Sequence, residues 1–87
     1  MSGLNVRVIA PDRLFYEGEV ASVRAVNEEG EFEVLPQHAG MISTIREGRL
    51  VLKTAEGPKT LSIKNGFLEV IADRVTVLVD GVDAEQA

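Results

Sequence analysis

Apolar and polar residues alternate along most of this chain, and turn-forming residues interrupt the alternation roughly every 8–10 positions. Successive side chains of an extended strand point to opposite faces, so such a pattern builds half-buried strands rather than helices. Leu4, Val6 and Val8 alternate with Asn5 and Arg7, and Ala10-Pro11-Asp12 ends that run. Extended structure resumes at 14–16, with Gly18 marking a bend or bulge. Further strands are predicted at 20–26, 31–34, 42–45, 49–53, 60–64, 67–71 and 74–79. Between them lie turns at Asn27-Glu28-Glu29-Gly30, Arg46-Glu47-Gly48, Ala55-Glu56-Gly57-Pro58 and Ala72-Asp73. Asn65-Gly66 reads as a two-residue hairpin turn or as a glycine-centred corner. No segment before residue 80 carries a helical stripe. Only the tail, 82–87, holds helix formers, with Asp83 as a possible N-cap, and that stretch is too short to sustain a helix. The expectation is an all-β antiparallel sandwich or barrel.

Size and composition bound what such a chain can do. Its 87 residues make a single domain, one that buries roughly 60–65% of its unfolded surface. An apolar content of 45% supports a core and argues against disorder. The absence of cysteine removes disulfides and thiolate chemistry. A net charge of −5 disfavours nucleic acid, whose binding needs a basic surface, and disfavours adsorption to anionic lipid. Met1-Ser2-Gly3 lacks the features of a secretory signal, and no apolar run approaches a bilayer span. A soluble cytosolic domain is therefore expected.

Catalytic and ligand chemistry find little support. The one histidine, His38, would need Ser22, Ser43 or Ser62 and a carboxylate beside it to form a triad, and nothing in the spacing suggests this. Glu28, Glu29, Glu31 and Glu33 precede His38, but they lack the spacing of a calcium loop and the imidazoles of a transition-metal site. Glu31 and Glu33 share one strand face and read as a solvated acidic surface. Gly48, Gly57 and Gly66 are isolated, and no glycine-rich loop precedes a helix to cradle a nucleotide phosphate. A carrier role would need a lysine at the centre of a hairpin tip, whereas Lys53, Lys59 and Lys64 only flank turns. What remains is recognition. Pro36, Ala39, Gly40, Met41 and Ile42 form a compact, weakly polar loop beside charged rims, which suits a protein interface. The residues alone reach a small β-rich binding or assembly domain.

Four motifs in register carry a resemblance. They are Glu29-Gly30-Glu31-Phe32 through Pro36-Gln37-His38-Ala39; Asn65-Gly66-Phe67-Leu68-Glu69-Val70; the run from Asp73 to Asp80; and the element from Phe15 to Val20. Together, over residues 4–80, they resemble the N-terminal β domain of the epsilon subunit of F-type ATP synthases. That family carries glycine where this chain has Glu33, Gln37 and Asn65, and proline where it has Gly40. Its typical members continue into a two-helix C-terminal domain, so the resemblance divides the chain into a sandwich at 1–80 and a tail at 81–87 where helices would begin.

The resemblance implies a flattened antiparallel β-sandwich of about ten strands. It implies a non-catalytic place in the rotor of a proton- or sodium-driven synthase, between the gamma subunit and the membrane c-subunit ring, at the cytoplasmic face of the bacterial inner membrane. Glu31 matches the position facing the c ring's polar loop. His38, Ala39 and Gly40 match the loop lying against the rotor partners, usually gamma, and Met41 and Ile42 stand for a leucine pair that fills apolar contact or core. No cofactor, metal, membrane insertion or nucleotide binding is expected. The alternative is a stand-alone β-sandwich adaptor or ligand-binding module. Phe67 serves as a gauge of the sandwich: its truncation costs about 3–5 kcal/mol if the ring is buried and under about 1 if it lies on the surface.

Overall fold

The computed structural model describes the backbone of residues 3–86 and the side chains of residues 3–83. Ten strands follow one another: β1 (Leu4–Ala10), β2 (Arg13–Val20), β3 (Val23–Asn27), β4 (Gly30–Val34), β5 (Met41–Ile45), β6 (Gly48–Thr54), β7 (Gly57–Ile63), β8 (Gly66–Ile71), β9 (Arg74–Val79) and β10 (Val82–Gln86). They form two five-stranded sheets, ordered β2-β1-β9-β8-β5 and β10-β7-β6-β3-β4. The sandwich expected from the sequence is what forms. Its pairings are antiparallel with one exception, the parallel match of β1 to β9. A parallel pair cannot close through a tight turn. Here the connection is the body of the chain itself, so the first and ninth strands meet at the centre of one sheet.

The core follows from the alternation. Leu4, Val6 and Val8 of β1 face Val75 and Val77 of β9 within the first sheet, and Leu50, Leu52, Leu61 and Ile63 come from the second; all are essentially inaccessible. Branched side chains on pleated strands fill the inter-sheet layer with few rotamers to lose. Phe15, Tyr16, Phe32, Met41 and Val82 pack against its margins.

The structure relocates three features. The bulge expected at Gly18 lies instead at Phe15, because the register passes from Val8↔Tyr16 to Ile9↔Leu14. Gly18 pairs regularly with Val6 and leaves room for the Tyr16 hydroxyl, 3.0 Å from where a Cβ would stand. Asn65-Gly66 is the corner and not the hairpin, since β7 and β8 belong to different sheets. There Gly66 runs so close to the Leu78 carbonyl and the Val79 Cα that a side chain would collide with backbone. Finally, the tail with its helix formers is extended. Residues 82–86 form β10, which pairs with the outer edge of β7 from Val82↔Ile63 to Gln86↔Thr60. The open edge of β7 offers this segment a ready ladder. Asp83, read as an N-cap, sits 3.4 Å from Lys64 Nζ instead. The sandwich thus extends past residue 80.

Candidate docking surface

The two outer faces of the sandwich differ in chemistry. The face of the β10-β7-β6-β3-β4 sheet shows Arg24, Glu31, Glu33, Arg49 and Lys53 as exposed outward groups. Arg24 and Glu33 oppose each other across β3 and β4 and approach to 3.9 Å. Such exposed pairs contribute little to stability. That face is solvated.

The other face carries a row of large apolar side chains that crosses four strands. Leu14 on β2 pairs with Ile9 on β1, Ile9 with Leu78 on β9, and Leu78 with Phe67 on β8. Leu14 is 44% exposed, Leu78 48% and Phe67 53%. The bulge at Phe15 matters here, because it is what brings Leu14 opposite Ile9 on the outer side. Ile42 on the edge strand β5 pairs with Glu69, which makes it a diagonal neighbour of both Phe67 and Ile71. Ile42 is 73% exposed and Ile71 56%. Single exposed apolar residues are ordinary, but a contiguous set of them marks an interaction surface.

The residues singled out from the sequence separate on this framework. Glu31 is exposed near the β3–β4 turn, while His38, Ala39 and Gly40 are exposed on the loop beyond the opposite end of β4. They do not share one patch. Met41 is half-buried and packs against the core, whereas Ile42 projects outward and joins the apolar set. The neighbours that were paired as a unit therefore face opposite ways, as alternate strand residues must. The loop itself turns tightly: His38 N donates to the Leu35 carbonyl at 3.2 Å, and His38 Nδ1 lies 2.7 Å from the Ala39 carbonyl. Among the described residues the His38 ring bonds to this carbonyl and not to Ser22, Ser43 or Ser62. Gln37 holds φ at 67°, a left-handed backbone that the resembled segment assigns to glycine. No group of three or more potential metal ligands converges among the described residues.

Leu14, Ile9, Leu78 and Phe67 were missed as a set. Each was legible as a strand residue, but Phe67 served as a core gauge, and it lies exposed at the end of the row between Leu78 and Ile42. The available signal was that 67, 68, 70 and 71 are all apolar, which exceeds what one buried face requires.

Fold and surface together define a ten-stranded β-sandwich domain with one charged outer face and one crossed by an exposed apolar row. The chain belongs to the family described as ATP synthase, Delta/Epsilon chain, beta-sandwich domain, whose model matches residues 3–85. An ATP synthase epsilon chain of Caulobacter vibrioides is 36% identical over 80 residues, covering 92% of this chain and 93% of that one. One from Leptospira borgpetersenii is 40% identical over 77 residues, covering 88% of this chain and 61% of the relative. The chain thus spans about three fifths of the length of that longer relative. Among solved structures, a chain of the Euglena gracilis mitochondrial ATP synthase superposes with a TM-score of 0.87 at 20% identity, over 94% of this chain and 53% of that one. A chain in the central stalk and c-ring structure of the Tetrahymena thermophila enzyme gives 0.75 at 13% identity, over 93% and 66%. At these identities the likeness is one of fold.

Proposed function

We propose that this domain is a non-catalytic rotor component of an F-type ATP synthase, seated between the gamma subunit and the c ring. It would help transmit torque between ion flow and the nucleotide chemistry of other subunits. The observation that carries this reading is the apolar row from Leu14 to Phe67, with Ile42 beside it, on an otherwise well-packed sandwich. In the proposed arrangement this face, with Ile42, and the loop at 38–40 meet gamma, and Glu31, at the other end of β4, meets the polar loops of the c ring. Two separated contacts suit a bridging part. The two-sheet core supports the role mechanically, because close-packed interiors deform little under load. A standard interface buries about 800 Å² per partner, which is roughly one seventh of the 5389 Å² surface of this chain. Membership of the family supports the same assignment, and the likeness of fold to chains of two ATP synthase assemblies agrees with it. The complex lies at the cytoplasmic face of the bacterial inner membrane in this reading. Among the described residues no helix is long and apolar enough to cross a membrane.

The test is calorimetric titration of the chain with its cognate gamma subunit at two salt concentrations. The expected result is a saturable one-to-one complex with a shallow salt dependence, because an apolar row and not a charge field supplies the grip. Phe67→Glu is expected to abolish binding while the domain stays folded. Absence of binding at tens of micromolar, or wild-type affinity in Phe67→Glu, would replace this reading with the adaptor one.

A further inference from the structure

The exposed loop at 35–40 contains no fully buried side chain that could hold it in place. Its internal hydrogen bonds are local, from His38 to Leu35 and to Ala39. Among the described residues, the hydrogen bond that ties this loop to a distant part of the chain comes from the β8–β9 turn. There the Gln37 amide donates to the Asp73 carboxylate, Oδ1, at 2.7 Å across a separation of 36 residues. The same residue accepts the Asn5 amide on its main-chain oxygen at 2.8 Å. Asp73 therefore joins three segments: the start of β1, the β8–β9 turn and the loop.

Its own backbone suits the task. Ala72 and Asp73 form the two central residues of the turn closed by the Ile71↔Arg74 pair, with φ of 49° and 66°. Aspartate is among the few non-glycine residues that enter this region readily. The turn aims the Asp73 side chain back across the end of the sheet at Gln37. Gln37 is itself left-handed, so its conformation needs an outside restraint, and the Asp73 side-chain oxygen supplies one.

We propose that Asp73 is a positioning residue for partner docking: its carboxylate fixes the loop at 35–40, and with it His38, Ala39 and Gly40, in the shape the partner subunit meets. The inference rests on the rotor reading above for the identity of the partner, and on the hydrogen bond alone for the restraint. A loop ordered before contact loses less conformational freedom on binding, so affinity follows the restraint.

Asp73→Gly removes the carboxylate and keeps a residue at ease with the positive φ. Asp73→Asn keeps the Oδ1 acceptor and tolerates the same backbone. Three readouts separate positioning from turn formation: amide exchange at Gln37 by NMR, affinity for gamma by calorimetry, and the thermal midpoint. For Asp73→Gly, exchange at Gln37 is expected to quicken and affinity to weaken, each by about tenfold, with little change in midpoint. Asp73→Asn is expected to recover most of both. Wild-type exchange or wild-type affinity in Asp73→Gly, or a failure of Asp73→Asn to recover them, would overturn the proposal. If the wild-type chain itself does not bind gamma, the rotor reading fails and takes the docking role of Asp73 with it. The exchange rates would still decide whether Asp73 holds the loop.

Discussion

Phe67 and Leu68 are neighbours in sequence on opposite sides of β8, and truncating each to alanine separates the proposed docking face from the core. Leu68 is fully buried, with 0% exposure. Leu→Ala at such a site costs about 3–5 kcal/mol, the transfer of the lost atoms plus the cavity they leave. Phe67 is 53% exposed. A phenylalanine buries roughly 150–250 Å² when fully covered, so about half of that, roughly 100 Å², is at stake here. At about 25 cal/mol per Å² this is roughly 2.5 kcal/mol as an upper bound. Compaction of the unfolded chain and the methyl that alanine retains reduce it to about 1–2 kcal/mol. A domain of this size shifts by about 4–8 °C per kcal/mol, so Phe67→Ala should lower the midpoint by about 5–10 °C and Leu68→Ala by about 15 °C or more. Affinity for gamma should fall by tenfold or more for Phe67→Ala, because central aromatic contacts carry much of an interface's energy. Urea unfolding followed by circular dichroism, paired with the calorimetric titration, measures both. A loss of 3 kcal/mol or more for Phe67→Ala, or one above that of Leu68→Ala, would mean that β8 is slipped by one residue. Such a slip turns every side chain of the strand to the other face.

Three further perturbations bear on separate parts of the argument. Glu31→Lys reverses a charge on the exposed edge strand β4. It should leave the midpoint within about 4 °C of wild type and weaken c-ring association in a pull-down with the intact ring; unchanged association would remove Glu31 from the contact surface. Ala72→Gly relieves a left-handed alanine whose φ is 49°, and the domain should gain about 0.5–1 kcal/mol in urea titration; a loss would show that the turn is not strained there. Titration with magnesium ATP should give no saturable heat, since no glycine-rich loop precedes a helix in this sequence; micromolar affinity would refute that part of the reading.

Much of the architecture was legible because strand formation is encoded locally. The alternation at Leu4, Val6 and Val8, or at Phe32 and Val34, names both the strand and its inner face. The turns at 27–30 and 72–73 were equally plain. The candidate site was legible only in part. The loop carrying His38, Ala39 and Gly40 stood out by its composition, and it is exposed as expected. The apolar row did not stand out, because in Phe67-Leu68-Glu69-Val70-Ile71 both faces of the strand carry large apolar residues and the period is ambiguous. The pairing of the tail was not legible either. Ala84, Glu85 and Gln86 have helical preferences, but an unpaired strand edge beside them outweighs so weak a bias.

The sequence by itself determined the strands and the turns, since each depends on residues close together along the chain, and the acidic balance and the family resemblance, which need only residue identity and order. Tertiary structure alone decided which strands became neighbours. The parallel pairing of β1 with β9 places Ile9 against Leu78, and with them Leu14 and Phe67, in one row. It likewise set the Asp73 carboxylate against the Gln37 amide. Register and sheet order arise from how two whole faces pack against each other. No local pattern specifies them, and the exposed apolar row is assembled by that packing.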